Sequence, residues 1–424
     1  MRTVNRPLPK KVKAEVFLSL CIELIGLQNS ALLFGAKAQE ALQKVIEKRL
    51  TKVLQASFHS QTPIDTDNKC SDRNVQHRLA WSEGHVQLSV SAPKAQLHEA
   101  IVQELIQTIV SQLQKPIKVP GQALRLECQP RIGYHLGQDL SFEKASFALR
   151  IAPPQKQSQH YSERSRKALV SRLQRENEMR QGLRRGEFVS YFQPKIDPRN
   201  NEVVGAEALV RWQHPTEGLL MPKDFLDVAE QSSLICDISQ AVAKQTVALL
   251  IRLQKQAKVV PIAINLSEQD LRVPELIEQT GSLLKKHGLS PRLINLEVSE
   301  RVASMNEDDV ADFIRAVQQE GFSLALDDFG TAYSGLLRLL QLPISEIKVD
   351  RLFLVKAAAS SQGRDILHSL VTMLLDQNYR VTVEGVEKRW ELELLQAMPG
   401  CFAQGFYFSP AVNAKTFQSL SQAC

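Results

Sequence analysis

Residues 322–335, FSLALDDFGTAYSG, decide how the chain is read. Leu324, Ala325 and Leu326 read as a buried parallel strand that ends in two adjacent carboxylates and a glycine-containing turn. Side chains alternate along a strand, so Ala325 and Asp327 share one face while Leu324 and Leu326 share the other. Asp328 joins Asp327 in one site only if that alternation stops, which the turn at Phe329-Gly330 permits. Two carboxylates held together repel, and one or two divalent cations would remove the repulsion. The competing reading makes Asp328 the cap of a helix beginning near Tyr333.

Outward from this stretch the same grammar repeats. Strand patterns fall at 189–193, 203–209, 259–266, 293–298, 322–326, 346–349, 380–383 and 401–408. Helical patterns at 222–229, 238–254, 274–287, 306–320, 335–340, 364–377 and 389–397 separate most of them. This alternation predicts a (β/α)8 barrel, and the hairpin-like PRNNEVVG between the first two strands makes the first one antiparallel.

Polar residues stand at the distal strand ends: Glu207, Asn265 with Ser267, Glu297 with Glu300, Asp327 with Asp328, Lys348 with Asp350, Glu384 with Glu387, and Gln404. Parity makes them converge, because Gly205, Ala263, Asn295 and Thr382 align with Glu207, Asn265, Glu297 and Glu384, while Ile264, Leu296 and Val383 face the helices. Barrel chemistry is assembled from several strands at such ends. Taken singly, these residues also fit a helix cap at Glu207, a Lys348–Asp350 pair and a turn carboxylate at Glu384. An oxygen-rich set without His or Cys selects Mg²⁺ or Mn²⁺ over zinc, and so many carboxylates suit two ions roughly 4 Å apart. Lys348 would bring positive charge to an attacking water, and Arg211 would clamp a phosphate. The reaction class is metal-dependent phosphodiester hydrolysis, with enolisation by a lysine base as the rival chemistry.

The 424 residues suit two domains, at 43% apolar and 23% charged composition. Up to Phe188 there are 29 Lys+Arg against 17 Asp+Glu, and beyond it 23 against 29. The acidic part is what a metal site requires, and the basic part offers an anionic partner a surface. No apolar run reaches about 18 residues, so no transmembrane segment is expected. The basic start lacks a cleavage pattern, which argues against a secretory signal. Six cysteines without C-x-x-C spacing read as thiols of a cytoplasmic protein.

The first 150 or so residues carry a β-α-β-α-β pattern, with strands at 16–24, 85–90 and 123–129, helices at 36–54 and 97–113, and a short element at 142–151. Glu83 and His85 flank Gly84 at an expected hairpin, and no Gly-rich phosphate cradle is present. Pro153-Pro154 marks a boundary, followed by a basic helix over 162–185 that reads most simply as a linker.

AEALVRW, INLS, LEVSE, DDFGTAYS, IKVD, VEGVE and QGFYFSP, with the opening YFQPKID, resemble the ordered signatures of EAL-domain cyclic di-GMP phosphodiesterases. The resemblance implies a bacterial enzyme that hydrolyses cyclic di-GMP to linear pGpG with two Mg²⁺ or Mn²⁺ ions, and a homodimer formed through this domain. Carried over, Glu207, Asn265, Glu297 and Asp327 would bind one ion, and Asp327 with Asp328 the other, near Glu384. Lys348 would orient or deprotonate the water, Glu300 would hold the 329–335 loop, and Gln404 would support the mouth. Arg211, Gln193 and Asp350 would meet substrate. Ala332 and Gly335 depart from the family pattern, which bears on the loop and on its coupling to dimerisation. The N-terminal part resembles a degenerate GGDEF domain, with VFLSLCIEL as its first strand, LECQPRIGYHLG as a late one, and WSEGH where the signature would stand. The expected organisation is therefore 1–155 regulatory, 156–187 linker and 188–424 phosphodiesterase. A cyclic di-GMP receptor without turnover, and an adaptor holding RNA or a protein through the basic half, are the alternatives.

Overall fold

A computed structural model describes residues 15–27, 33–59, 75–82, 84–119, 122–300, 302, 305–330 and 342–423. The expected Glu83, the helix at 335–340, and Ala332 and Gly335 lie outside them. The chain divides into two compact units at Val170/Ser171.

In the first unit, β1 (Glu15–Ile25) is followed by α1 (Ala36–His59), β2 (Gln76–Ser82), β3 (His85–Pro93) and α2 (Glu99–Leu113). The short β4 (Ile117–Lys118) and β5 (Arg125–Leu126) precede β6 (Gln129–Gly137), α3 (Phe142–Ile151) and β7 (Ser158–His160). The sheet order is β2-β3-β1-β6-β7, with β1 antiparallel to both neighbours. Leu18, Leu20, Ile22 and Leu24 alternate onto the face covered by α1 and α2, whose Leu42, Ile46, Leu105 and Ile109 complete the core. Cys21 faces the other way, against Ala145 and Leu149 of α3.

Two expectations fail here. The strand at 123–129 is only β5, and the long strand begins at Gln129. It falls within LECQPRIGYHLG, the late strand of the resemblance, and Gly133 lets α3 lie close: a Cβ there would come within 2.1 Å of the Ala145 carbonyl oxygen. The β2–β3 hairpin also adds a strand to the expected β-α-β-α-β order.

Helix α4 (Glu163–Arg185) contains the division between the units, and Met179 near its end joins the core of the second. That unit is a closed barrel. Its staves are β8 (Phe188–Ile196), β9 (Val203–His214), β11 (Ile262–Asn265), β12 (Ile294–Ser299), β13 (Ser323–Phe329), β14 (Ile344–Val349), β15 (Arg380–Val383) and β16 (Cys401–Ala403), while β10 (Gly218–Leu220) and β17 (Val412–Asn413) are short additions. β8 is antiparallel to both β9 and β16, and the intervening neighbours are parallel. The barrel and its reversed first strand are as expected.

Outside the strands lie α5 (Leu226–Glu230), α6 (Leu234–Gln254), α7 (Glu275–Lys286), α8 (Glu307–Glu320), α9 (Arg351–Ala359), α10 (Ser361–Asp376), α11 (Arg389–Gln396) and α12 (Ala414–Ala423). Ile264, Leu296, Leu324, Val381 and Val383 pack outward against them. Helix α6 is long and apolar enough to cross a membrane by composition, but Ile238, Val242, Val247 and Leu250 are buried in the barrel's own core. The expected strand at 401–408 stops at Ala403, where the Gln404 amide turns to pair with Val383 and the aromatic run leaves the sheet, with Phe406 68% exposed.

Candidate active site

Because β8, β9 and the parallel strands alternate inward and outward, their inner positions form layers. The upper layer holds Gln193, Glu207, Asn265, Glu297, Asp327, Lys348, Glu384 and Gln404. Register brings them together: Gln193 lies opposite Glu207, Asn265 opposite Glu297, and Glu297 opposite Ala325, the inward neighbour of Asp327.

Lys348 is at the centre and 1% exposed. Its Nζ lies 2.7 Å from Glu384 Oε1, 2.9 Å from Glu297 Oε2 and from Asp327 Oδ1, and 3.2 Å from Glu207 Oε2. Asn265 Nδ2 donates to Glu207 Oε1 at 2.6 Å, and Gln404 Nε2 to Glu207 Oε2 at 2.7 Å. Gln404 also reaches Gln193 Oε1 at 3.3 Å. A Lys348–Asp350 pair is therefore not what forms. Asp350 instead caps α9, accepting from the Leu352 amide at 2.8 Å.

Asp328 enters by breaking the alternation. Its φ is +56°, and the register against β14 shifts between Leu326 and Phe329. Carboxylate oxygens of Asp327, Asp328 and Glu384 consequently lie within 4.8 Å of one another. Gly330 follows at φ +95°, where a Cβ would strike the Phe353 ring at 2.5 Å, so only glycine fits this turn. The Gly330 amide donates to Glu300 Oε1 at 2.8 Å, which fixes the turn to the end of β12.

A lower layer was not singled out in the sequence. Lys195 Nζ lies 3.0 Å from Glu297 Oε1 and 2.7 Å from Glu346 Oε1. Glu346 also accepts from Asn295 Nδ2 at 2.7 Å and Thr382 Oγ1 at 2.8 Å. Carrying parity two residues back from Lys348 and two forward from Gln193 would have found Glu346 and Lys195.

The two layers thus gather six carboxylates, Glu207, Glu297, Asp327, Asp328, Glu346 and Glu384, around two ammonium groups. Burial, together with the crowding of carboxylates, is visible in proton affinity. Burial, reinforced by Glu207, pushes Glu297 up to about 8 despite both lysines. Burial and Asp327 push Glu384 up to about 7. Asp328 is raised by burial and then by Asp327. For Glu207 burial is overcome by Lys348 and Lys195, which bring it down to about 2. Lys348 is held well above its ordinary value: burial opposes its charge, but Glu207, Glu297, Glu384 and Asp327 outweigh it.

These residues fit divalent cations. The donor set is oxygen alone, and buried Asp327 Oδ1 accepts no hydrogen bond of good geometry although Lys348 is near. A second cluster, Glu178, His214 and Glu217, already has a cation, since Arg175 bonds Glu217 at 2.6 Å.

Two cavities flank the carboxylates. One of about 770 Å³ is lined by Glu207, Asn265, Asp327 and Asp328 on one side and by Leu226, Ile235 and Ile238 on the other. The other, about 260 Å³, has Gln193, Lys348, Glu384, Gln404, Arg351 and Phe406 in its wall. Neither is lined by Arg211 or Asp350. Arg211 is buried outside the lining of both cavities, donating to the Val210 carbonyl at 2.8 Å with its guanidinium over the Tyr191 ring. Arg351, which the sequence did not point to, forms a bidentate pair with Glu387.

The model of the EAL domain family matches residues 176–411. The chain is 28% identical over 382 residues to cyclic di-GMP phosphodiesterase NbdA of Pseudomonas aeruginosa, covering 88% of this chain and 46% of that protein. It is 34% identical over 245 residues to the bifunctional diguanylate cyclase/cyclic di-GMP phosphodiesterase MucR of the same organism, covering 57% of this chain and 36% of that one. A solved structure of MucR phosphodiesterase in complex with c-di-GMP has a TM-score of 0.54 and 32% identity, and the match covers 57% of this chain and 99% of that one. The chain spans less than half the length of NbdA and of MucR. With the ordered strand-end residues on one barrel mouth and the family match extending over more than half of its length, the chain belongs to the EAL domain family.

Proposed function

We propose that the barrel hydrolyses cyclic di-GMP to linear pGpG with two Mg²⁺ or Mn²⁺ ions. The observation that carries this reading is the gathering of six carboxylates, three of them buried, two half-buried and Asp328 exposed, around only two lysines; with all six ionised the excess is four negative charges, which two divalent ions would cancel. Glu207, Asn265, Glu297 and Asp327 would hold one ion, and Asp327 with Asp328 the other, beside Glu384. When bound, the ions supply Lewis acidity to the attacking water and to the phosphoryl oxygens.

The chain's own groups do the rest. Lys348, with its proton affinity raised, orients the water and stabilises developing negative charge as a cation; deprotonating the water does not suit it. Glu384, 2.7 Å from Lys348 Nζ and beside the Asp327–Asp328 pair, would hold Lys348 in place and accept a hydrogen bond from the water. Glu300 steadies the turn at Gly330. Gln404 fixes Glu207 and, with Gln193, borders the smaller cavity toward substrate. The larger cavity has the size of a small-molecule site and an apolar wall for a base. Arg211 and Asp350 would meet substrate only from outside the two cavities.

Around the barrel, Leu352 and Val355 of α9 and Ile366 and Met373 of α10 are exposed, which supports a homodimer formed through this domain. For the first unit, the five-stranded sheet and the β2–β3 hairpin at Trp81–His85 support a degenerate GGDEF-like regulatory domain that makes no cyclic di-GMP. The test is incubation of the whole chain with cyclic di-GMP and Mg²⁺ or Mn²⁺, resolving linear pGpG. Binding without product in either metal would replace the enzyme with a receptor.

A further inference from the structure

The lower layer bears on how Glu297 can be used. Glu297 is 1% exposed and both its oxygens are engaged by lysines, Oε2 by Lys348 at the mouth and Oε1 by Lys195 from beneath. Lys195 is itself 3% exposed and tied down by Glu346, which Asn295 and Thr382 hold in turn. Its stem passes Gly205, where a Cβ would stand 3.7 Å from Lys195 Cδ. A carboxylate gripped in this way presents one oxygen upward. Turning the second one up would break the Lys195 contact and leave the Lys195–Glu346 pair short of a partner in a dry interior.

We propose that Lys195, anchored by Glu346, is a positioning residue that confines Glu297 to one-oxygen ligation and so biases the site toward Mg²⁺ and Mn²⁺ and against Ca²⁺. Small octahedral cations need single oxygens at fixed places, whereas Ca²⁺ takes six to eight oxygens and gains from bidentate carboxylates. Glu207 is restrained in the same sense, with Asn265 on one oxygen and Gln404 on the other. The inference rests on the metal-binding reading of the site.

The test compares Mn²⁺ and Ca²⁺ binding by calorimetry, on EDTA-stripped full-length protein, for Lys195→Met, Lys195→Met/Glu346→Met and Glu346→Gln, alongside thermal unfolding of each. In both Lys195 variants the affinity ratio should move toward Ca²⁺ by about tenfold or more, the scale on which residues behind metal ligands act. Lys195→Met should lose stability and the double variant should regain it without regaining the ratio. Glu346→Gln, which keeps Lys195 against Glu297, should hold the ratio of the unsubstituted protein. A ratio unchanged in the Lys195 variants overturns the proposal, and so does a ratio that returns with stability in the double variant, since the layer is then only scaffolding. Failure of the unsubstituted protein to bind Mn²⁺ would overturn the metal reading and this inference together.

Discussion

Replacing Lys348 by Met removes the one ammonium that touches Glu207, Glu297, Asp327 and Glu384, all within 3.2 Å. At an effective dielectric of 20, unit charges about 3 Å apart attract by roughly 5–6 kcal/mol per pair, but burial of the charges offsets most of this. Breaking a buried ion pair by deleting one partner costs about 3–5 kcal/mol net, and that is the destabilisation expected of Lys348→Met in EDTA. Thermal unfolding should place the barrel transition roughly 10 °C lower. Divalent ions substitute for the lost charge, so Mn²⁺ at about one hundred times its Kd should restore about 2.7 kcal/mol, and its affinity should not fall. Turnover should nevertheless drop about 10²–10³-fold, because a cation aimed at developing charge acts chiefly in the transition state. Cyclic di-GMP binding measured in Ca²⁺ should change far less than kcat. An unchanged kcat would make Lys348 structural. A variant as stable in EDTA as the parent would refute the charge accounting itself.

Asp327→Asn should abolish hydrolysis and weaken Mn²⁺ binding while the barrel still folds, since one repelling charge is gone; near-parental turnover in pGpG formation would remove Asp327 from the metal set. Metal-free protein should lose stability as pH rises. Glu297 and Glu384 hold protons to about 8 and about 7, so their contribution is complete below about 4.5, the usual glutamate value, and disappears as pH passes through 7 and 8, whereas saturating Mn²⁺ should flatten this fall in thermal scans. The lowered Glu207 acts in the opposite sense, its contribution being lost only as pH falls toward about 2, outside that range. Glu300→Ala removes the acceptor of the Gly330 amide and should lower kcat about tenfold or more with little change in Mn²⁺ affinity, read by paired kinetics and calorimetry. The full chain given GTP and Mg²⁺ should form no cyclic di-GMP; its detection by chromatography would remove the regulatory reading of the first unit.

The upper ring of the site was legible in the sequence because a two-residue period fixes which strand positions face inward, and neighbouring parallel strands end at one rim. Depth was not legible. Lys195 and Glu346 obey the same parity as Gln193 and Lys348, but that they reach each other across the barrel depends on which strands lie opposite, and only closure sets that. Arg211 shows that parity alone does not fix reach. Four residues past Glu207 it keeps the inward parity, yet β9 runs on past the rim, paired with Val189 of β8, and carries the side chain beyond the cavities. In the first unit the reason for Gly133 was not legible, because what it accommodates, the close approach of α3, lies twelve to sixteen residues further along the chain.

Asp328 marks the point where pattern and function part. A non-glycine residue at positive φ sits in a left-handed conformation that costs about 1–2 kcal/mol, although Asp tolerates it better than most residues. The register shift that accompanies it sets a second carboxylate beside Asp327 and Glu384, where burial and Asp327 oppose its ionisation more than Lys348 favours it. Backbone strain and charge repulsion thus act at the same residue. A divalent cation relieves the electrostatic part directly. An uncharged asparagine at this position would tolerate the same backbone conformation while removing the repulsion, so Asp328→Asn should raise the thermal stability of EDTA-treated protein and lower it relative to the parent in saturating Mn²⁺. The crossing of those two effects would separate a carboxylate kept for a metal from one kept for a turn, and equal shifts of the same sign in both conditions would refute the metal assignment at this position.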